Sequence, residues 1–258
     1  AGISTLTARI LMFAAFAVLF YRSLRYRRYL VGYKRGKYNF TDILSLNKMG
    51  WMVGLQMGLE TALFSITGIM IGWLGSIALA AHQVVVAIST LGFMIYYGVG
   101  AAVSVRVSNY FGRQDLLHVR RTTMAGFHLI LCLAVCACTV FLFSRELIGY
   151  LFTTSEEVIR VVSTLVYILL AYQFGDALQI TYANSLRGIG DVISMAVISF
   201  IGYFLIAMPV CYICGFVLEW GITGIWIGYP IGLTLTGVML CGRYYWKLKT
   251  KTQSKEFY

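Results

Sequence analysis

Charged residues are scarce in this sequence, and their scarcity excludes most soluble fold classes. Asp, Glu, Lys and Arg together make up 12% of the 258 residues, whereas soluble domains average about 25%. Proline is rarer still, with two residues, so few helix breakers interrupt the apolar stretches. Hydrophobic residues make up 59% of the chain. This composition predicts an all-α integral membrane protein whose main surroundings are the lipid bilayer.

The short motifs of soluble enzymes are also missing. The sequence contains no G-K-[ST] phosphate loop, no G-x-S-x-G and no H-E-x-x-H. Its six cysteines lie in or at the ends of apolar segments, and the single C-x-x-C, Cys211 and Cys214, has no second pair at metal spacing. This pattern favours packing over metal binding. We therefore expect no enzyme activity, no cofactor and no metal other than a possible Na⁺.

Seven apolar stretches are long enough to cross a bilayer of about 30 Å as helices of roughly 20 residues. No repeated ten-residue alternation of the β-barrel type is present. The net charge of +11 lies almost entirely between these stretches, which favours a role in membrane orientation over nucleic-acid binding. The predicted spans are 2–21, 50–72, 78–105, 122–143, 158–183, 192–214 and 221–245.

The basic residues predict the orientation of the spans. They are concentrated in the first, third and fifth connections and in the tail, and the positive-inside rule places that side in the cytoplasm. We therefore expect a multi-pass protein of the cell membrane. The sequence begins without Met inside an apolar stretch, which we interpret as an interior cut of a longer chain. The first connection is the most basic, with Arg22, Arg25, Arg27, Arg28, Lys34, Arg35, Lys37 and Lys48.

Two carboxylates inside predicted spans point to a function. Glu60 and Asp176 lie in apolar stretches that contain no nearby Lys or Arg. An ionised carboxylate at the bilayer centre costs roughly 2.5–3.5 kcal/mol on insertion scales. A membrane protein keeps such a group where a cavity, a cation or a proton neutralises it. The pair predicts an ion-coupled or proton-coupled transporter.

Helical spacing gives Glu60 polar neighbours. Gln56, Glu60 and Thr67 fall on one face of the second span, and Gly54 and Gly58 form a G-x-x-x-G that permits close helix approach. We expect Gln56 and Thr67 to line a cavity with Glu60. The alternative is a glutamate that only hydrogen-bonds to a neighbouring helix during assembly.

The fifth span carries a second polar face. Tyr172, Asp176 and Gln179 lie at offsets of four and three, and ligation by oxygen alone suits Na⁺ or a proton better than a soft metal. We expect Gln179 to line the cavity beside these two residues. A structural Tyr–Asp pair near the interface is the alternative. His82 in the third span is a candidate proton relay and cavity residue, or a capping residue near the outer interface.

Three stretches resemble the multidrug and toxic compound extrusion (MATE) family. They are GLQMGLETALFSITGIMIGWLGSIALAAHQVVVAISTLGFMIYYGVGAAVSVRVSNYFGRQD, YQFGDALQITYANSLRGIGD and GITGIWIGYPIGL, and the similarity extends over 50–247. The resemblance implies twelve helices in two bundles around a cavity. It also implies export of cationic or amphipathic compounds in exchange for Na⁺ or H⁺.

The resemblance also implies a division of this chain and a cation site. Residues 1–21 would be the last helix of the amino-terminal bundle, 22–49 a basic cytoplasmic linker, 50–247 the carboxy-terminal six-helix bundle and 248–258 a cytoplasmic tail. In one branch of the family a Glu, a Tyr and an Asp bind the cation, and Glu60, Tyr172 and Asp176 match them. Met52 replaces a frequent Pro. The remaining bundle of the transporter would be the main protein partner.

Two other functions are compatible with seven spans. A flippase for lipid-linked precursors would need several basic residues in its cavity to bind a pyrophosphate, and the predicted spans contain few. A membrane-embedded enzyme or an assembly subunit would predict a catalytic dyad or a metal cluster within the membrane. Alternatively, it would predict acidic residues whose replacement has no effect on transport.

Overall fold

The computed structural model describes residues 2–23 and 39–256, and in these ranges the chain is helical and has no strand. Seven helices in these ranges are long and apolar enough to cross a membrane, which confirms the predicted fold class. The short helix α5 was not predicted. The helices are α1 (Gly2–Arg22), α2 (Phe40–Gly72), α3 (Ser76–Gly112), α4 (Leu116–Phe143), α5 (Arg145–Phe152), α6 (Glu156–Gly188), α7 (Val192–Val217) and α8 (Gly221–Glu256).

The chain divides into two compact units, Ala1–Asn47 and Lys48–Tyr258. Every residue of the candidate site lies in the second unit. The predicted division into two bundles with a linker stays a prediction. Most of the basic residues of the predicted linker lie outside the described residues, namely Arg25, Arg27, Arg28, Lys34, Arg35 and Lys37.

Several helices extend beyond the predicted apolar spans. Helix α2 begins at Phe40 rather than at residue 50, because Asn39 Oδ1 accepts the N–H of Thr41 at 3.3 Å and caps the first turn. Helix α8 continues to Glu256 rather than ending near residue 245. There Leu248 is buried, and the Lys251 ammonium lies 3.8 Å from the centre of the Phe111 ring. Hydropathy therefore detects the lipid-crossing part of each helix and misses its capped or packed ends.

Helix α6 is the central element of the second unit. It packs against α3, α4, α5 and α8, and residues on all its faces are buried between Tyr172 and Leu186. A polar side chain in this stretch of α6 therefore faces protein rather than lipid. This packing places Asp176 and its neighbours inside the unit.

Helix α7 contains two π-helical stretches, Ile201–Ala207 and Ile213–Val217. Pro209 follows the first of them and has no N–H to donate to a carbonyl one turn earlier. Such local widening of a helix is frequent at functional sites. The first π-helical stretch contains Tyr203, which reaches Glu60.

Three glycines of α8, at a spacing of four residues, let α7 and α8 pack backbone to backbone. A Cβ added at Gly224 would lie 2.2 Å from the carbonyl oxygen of Cys214, and one at Gly228 would lie 2.2 Å from Cys211 Sγ. At Gly232 the added Cβ would lie 2.3 Å from Ala207 Cβ. Small residues are common where membrane helices approach closely.

We expect Gly224→Ala to destabilise the protein by about 1–3 kcal/mol, because the new methyl group would meet backbone that cannot rotate away. Gly242→Ala is the matched control in the same helix, since its added Cβ meets nothing within 4 Å in the described chain. Alanine should be neutral or stabilising there. Thermal unfolding in detergent compares the two variants, and equal melting temperatures would contradict this packing.

An ion-pair cluster joins the start of α7 to the end of α8. Asp191 accepts hydrogen bonds from Arg243 Nε and from the Ser194 hydroxyl, both at 2.8 Å, and its Oδ2 lies 3.9 Å from Lys247 Nζ. Partial burial tends to raise the pKa of Asp191. The Arg243 and Ser194 hydrogen bonds and the two positive charges outweigh this effect and hold the pKa below its ordinary value of 3.8.

We expect Asp191→Asn to lower the stability by about 1 kcal/mol at neutral pH. Because the pKa is lowered on folding, the carboxylate contributes fully above its unfolded value, and its contribution disappears as the pH falls through the folded value. The melting temperatures of wild type and variant should therefore differ at pH 7 and converge below about pH 4. Glu146→Gln, at an exposed pair with Arg145 separated by 3.7 Å, is the control and should change little.

Candidate cation and substrate site

A cleft of about 270 Å³ lies between α2 and α3, with one side chain of α6 in its wall. Glu60 is half-buried there, and Tyr172 is buried to 3% exposure. The cleft therefore brings together two of the three residues of the predicted cation site. Its lining residues are Met57, Glu60, Thr61, Phe64, Val86, Ser89, Thr90, Phe93, Met94 and Tyr172.

Hydrogen bonds from two helices fix Glu60. Gln56 Nε2, one turn earlier in α2, donates to Glu60 Oε2 at 3.2 Å. The Tyr203 hydroxyl of α7 donates to the same oxygen at 3.5 Å and accepts a hydrogen bond from Gln179 Nε2 of α6 at 2.7 Å. Gln56 and Gln179, both predicted to line a cavity with the acids, are thus linked to Glu60. They lie behind it, outside the lining of the cleft.

A basic residue does reach this network, contrary to the expectation from the sequence. Arg187 Nη2 donates to Gln56 Oε1 at 3.4 Å, and its charge attracts the Glu60 carboxylate. Arg187 is far from Glu60 in sequence and belongs to the last turn of α6, from which its side chain reaches α2. The apolar flanks of Glu60 could not reveal this partner.

Asp176 lies in a different environment from Glu60. It has 0% exposure, and neither of its carboxyl oxygens has a hydrogen-bond partner among the described residues. It is close enough to Glu60 for the two charges to interact, and Tyr172 lies within electrostatic reach of both. A buried carboxylate without a donor is costly unless a proton or a cation compensates its charge.

Two further polar side chains lie unpartnered near Asp176. The described residues offer no hydrogen-bond partner to the Tyr96 hydroxyl or to either amide atom of Gln173. Tyr96 is within electrostatic reach of Asp176, and Gln173 lies one turn before it on α6. Gly92 allows this arrangement, because a Cβ there would lie 3.3 Å from Gln173 Nε2 and 3.5 Å from the Tyr96 hydroxyl. Asp176, Tyr96 and Gln173 thus form a buried polar cluster between α3 and α6.

Thr67 lies farther along α2, outside the lining of this cleft. Its hydroxyl donates to the Leu63 carbonyl at 2.7 Å and is hydrogen-bonded to the Tyr229 hydroxyl of α8. The Tyr229 ring stacks on Phe64 with ring centres 4.8 Å apart. Thr67 therefore links α2 to α8 and supports the wall of the cleft through Phe64.

His82 lines a neighbouring cleft of about 480 Å³ that shares Thr61, Phe64 and Val86 with the first. The imidazole is 3% exposed, and its edge meets Trp226 with ring centres 5.7 Å apart. Its Nδ1 has no partner within the described chain. The structure thus places His82 beside the Glu60 cleft, without a hydrogen bond to either acid.

Sequence reasoning missed Tyr203, Gln173, Tyr96 and Arg187 in this network. Gln173 lies three residues before Asp176, the same spacing that joins Asp176 to Gln179, so the helical-face argument could have found it. Tyr203 depends on the widened turn of α7, which the neighbouring Pro209 signals only weakly. Among the described residues no three His, Cys, Asp or Glu side chains come together as metal ligands, and all six cysteines are free thiols.

These features define the class of the protein, an all-α multi-pass membrane protein with an acidic, aromatic cleft between its helices. The family model described as MatE matches residues 53–213, which is more than half of the chain. The chain belongs to the MATE family, whose members are transporters and not enzymes.

Sequence comparison with curated relatives agrees with the assignment to the MATE family. The multidrug resistance protein NorM of Photobacterium profundum is 34% identical over 220 residues, with 83% of this chain and 47% of the relative covered. NorM of Aliivibrio fischeri is 31% identical over 257 residues, with 98% and 56% covered. The chain therefore spans about half the length of the curated relatives it matches.

Solved structures show the same fold. The eukaryotic MATE transporter AtDTX14 superposes with a TM-score of 0.80 at 19% identity, covering 93% of this chain and 56% of that one. The Vibrio cholerae MATE transporter VcmN in its bent form gives a TM-score of 0.77 at 15% identity, covering 86% and 50%.

The different surroundings of the two acids make a chemical prediction. A lipophilic carbodiimide, which reacts with protonated carboxyl groups, should modify Glu60 faster than Asp176, because only Glu60 lines the cleft. Peptide mass spectrometry of the protein in detergent measures both rates, and Glu60→Gln should remove the fast modification. A faster reaction at Asp176 would contradict the burial described here.

Proposed function

We propose that this chain forms part of a secondary active efflux transporter that exports cationic or amphipathic compounds in antiport with Na⁺ or H⁺. The relatives it matches are named multidrug resistance proteins. Because it spans about half of their length, the proposed activity belongs to the intact protein that contains it. The other half of that protein would supply the opposite wall of the transport pathway.

The proposal of ion coupling rests on Asp176. Its carboxylate is fully buried, and the described residues offer it no hydrogen-bond donor. Such a group is stable in a membrane protein when it holds a proton or a cation. Its neighbours Tyr172 and Glu60 supply further oxygen atoms, which are the ligands that a hard cation such as Na⁺ prefers. A proton on either acid would remove one of the two negative charges, as a bound Na⁺ would compensate one, so both coupling ions fit this chemistry.

The cleft at Glu60 supports a cationic substrate. Its wall combines a carboxylate with the aromatic rings of Phe64, Phe93 and Tyr172, and no Lys or Arg is among its lining residues. Ring faces attract organic cations, and a carboxylate adds a direct charge partner. The flippase alternative would need basic groups for a pyrophosphate, and this lining disfavours it.

Competition between ion and substrate would couple the two fluxes. Glu60, at the cleft, would pair with the substrate cation, while Asp176, behind it, would hold the ion. Because the two carboxyl groups interact electrostatically, a charge arriving at one changes the affinity of the other. Transport further requires that each ligand bind the two facings of the protein differently.

The orientation and the second bundle belong to the same proposal. The basic ends of the helices would face the cytoplasm, as the positive-inside rule predicts. The α2 face with Gly54 and Gly58, where an added Cβ meets nothing within 4 Å in the described chain, would be available to the missing bundle.

We expect Glu60→Gln and Asp176→Asn each to reduce ion-driven export of ethidium at least about tenfold, because a neutral amide can neither take up a proton nor pair with a cation as the carboxylate does. Intact protein in proteoliposomes, under an imposed Na⁺ or pH gradient, provides the measurement. Whichever gradient drives export identifies the coupling ion.

Glu146→Gln is the control for this experiment, because Glu146 is an exposed acid outside the cleft. It should export ethidium at the wild-type rate. Wild-type export by Glu60→Gln or by Asp176→Asn would rule out the proposed role of that residue.

A further inference from the structure

A second groove, separate from the acidic cleft, lies between α3 and α4. Its volume is about 370 Å³, and it has two arginines at one end and apolar residues along the rest. The antiparallel helices are joined by the short turn at Arg113–Asp115. The lining residues are Val99, Ala102, Val103, Arg106, Arg121, Thr122, Ala125, Gly126 and Leu129.

The sequence places the two arginines at the same level. At 1.5 Å per residue, Arg106 lies about 9 Å before the end of α3, and Arg121 lies about 8 Å after the start of α4. Each helix therefore presents one guanidinium where its apolar stretch begins. Val99 and Leu129 continue the groove from there for a further 10–12 Å or so toward the middle of the membrane.

Small residues leave space for the groove and allow the two helices to touch along its floor. Gly126 and Val103 are buried and in direct contact, since a Cβ on Gly126 would lie 2.3 Å from Val103 Cγ2. Ala102 and Ala125 are exposed on either side of this floor, and their short side chains leave a channel. Leu129 is 52% exposed at its inner end. The groove thus has a solid floor, apolar walls and a cationic mouth.

Both arginines are available to a ligand. In the described part of the chain, no carboxylate lies within ion-pair distance of Arg106 or Arg121. The nearest acid in sequence, Asp115, caps α4 and is held by His118, with Nδ1 and Oδ2 2.7 Å apart. By contrast, the adjacent Arg120 lies over the Tyr245 ring, 5.6 Å from its centre.

We propose that this groove binds one anionic phospholipid from the leaflet on the basic side of the membrane. The phosphate lies between Arg106 and Arg121 and accepts a hydrogen bond from the Thr122 hydroxyl, while one acyl chain lies along Val99, Ala102 and Leu129. Basic pockets between membrane helices bind anionic headgroups in this way, and guanidinium groups match phosphate geometry with paired N–H donors.

The groove is cationic at one end and apolar along the rest, and this combination identifies its occupant. A free phosphate would use only the arginines and leave the apolar channel empty. A zwitterionic lipid would bring a choline or ethanolamine cation to a mouth that already carries two positive charges. An anionic phospholipid complements both ends, and its binding does not depend on the export activity proposed above.

Native mass spectrometry of the intact protein tests the proposal with phosphatidylglycerol and phosphatidylcholine of identical acyl chains. Wild type should bind one phosphatidylglycerol much more tightly than phosphatidylcholine. The double variant Arg106→Gln/Arg121→Gln should bind it about thirtyfold more weakly, which corresponds to about 2 kcal/mol. Arg113→Gln, in the same turn but outside the groove lining, is the matched control and should bind as wild type.

A second variant tests the apolar wall with both charges intact. Ala125→Phe places a ring in the channel from an exposed position and should also weaken phosphatidylglycerol binding, with an unchanged melting temperature. Inorganic phosphate at equal concentration should not displace the lipid. Equal binding of the two lipids, unchanged binding by either groove variant, or displacement by phosphate would overturn the proposal. If another protein segment covers the groove, the two lipids bind equally.

Discussion

The described site depends on one constraint: Asp176 is buried in the protein interior, and the described residues offer it no hydrogen-bond donor. Its carboxyl group has 0% exposure, and both of its oxygens are unpartnered within the described chain. In a membrane interior no bulk water is available to compensate that charge, and we therefore propose that a proton or a cation compensates it. The half-buried Glu60 differs, because Gln56 and Tyr203 hydrogen-bond to it and the cleft reaches it. Because the surroundings of the two acids differ, the acids are suited to different roles.

Helix packing produces the difference between the surroundings of Asp176 and those of Glu60. Helix α6 is buried by α3, α4 and α8, and Gly92 admits the Gln173 amide and the Tyr96 hydroxyl between α3 and α6. The glycines of α8 let α7 pack closely against α8, and the widened turn of α7 directs Tyr203 toward Glu60. Small residues and a local irregularity thus place the polar side chains, while the large apolar residues fill the space around them.

The sequence predicted the helical membrane fold and the number of spans because apolar runs of this length have few other solutions in a bilayer. It also singled out Glu60 and Asp176 from the unfavourable energy of acids in lipid, and Tyr172 from its helical spacing to Asp176. The ends of α2 and α8 could not be predicted from hydropathy, because Asn39 and Leu248 determine them through capping and packing. Arg187 and Tyr203 could not be predicted either, because their contacts with the Glu60 network depend on tertiary packing and, for Tyr203, on a π-helical turn.

Infrared difference spectroscopy of the carboxyl groups tests the central claim most directly. Spectra of the intact protein are recorded before and after addition of Na⁺, and across a pH titration, for wild type and Asp176→Asn. The account predicts a carboxyl band in wild type that changes with the proton or with Na⁺ and that is missing in Asp176→Asn. Identical difference spectra for the two proteins would show that neither ion visits Asp176 and would contradict the account.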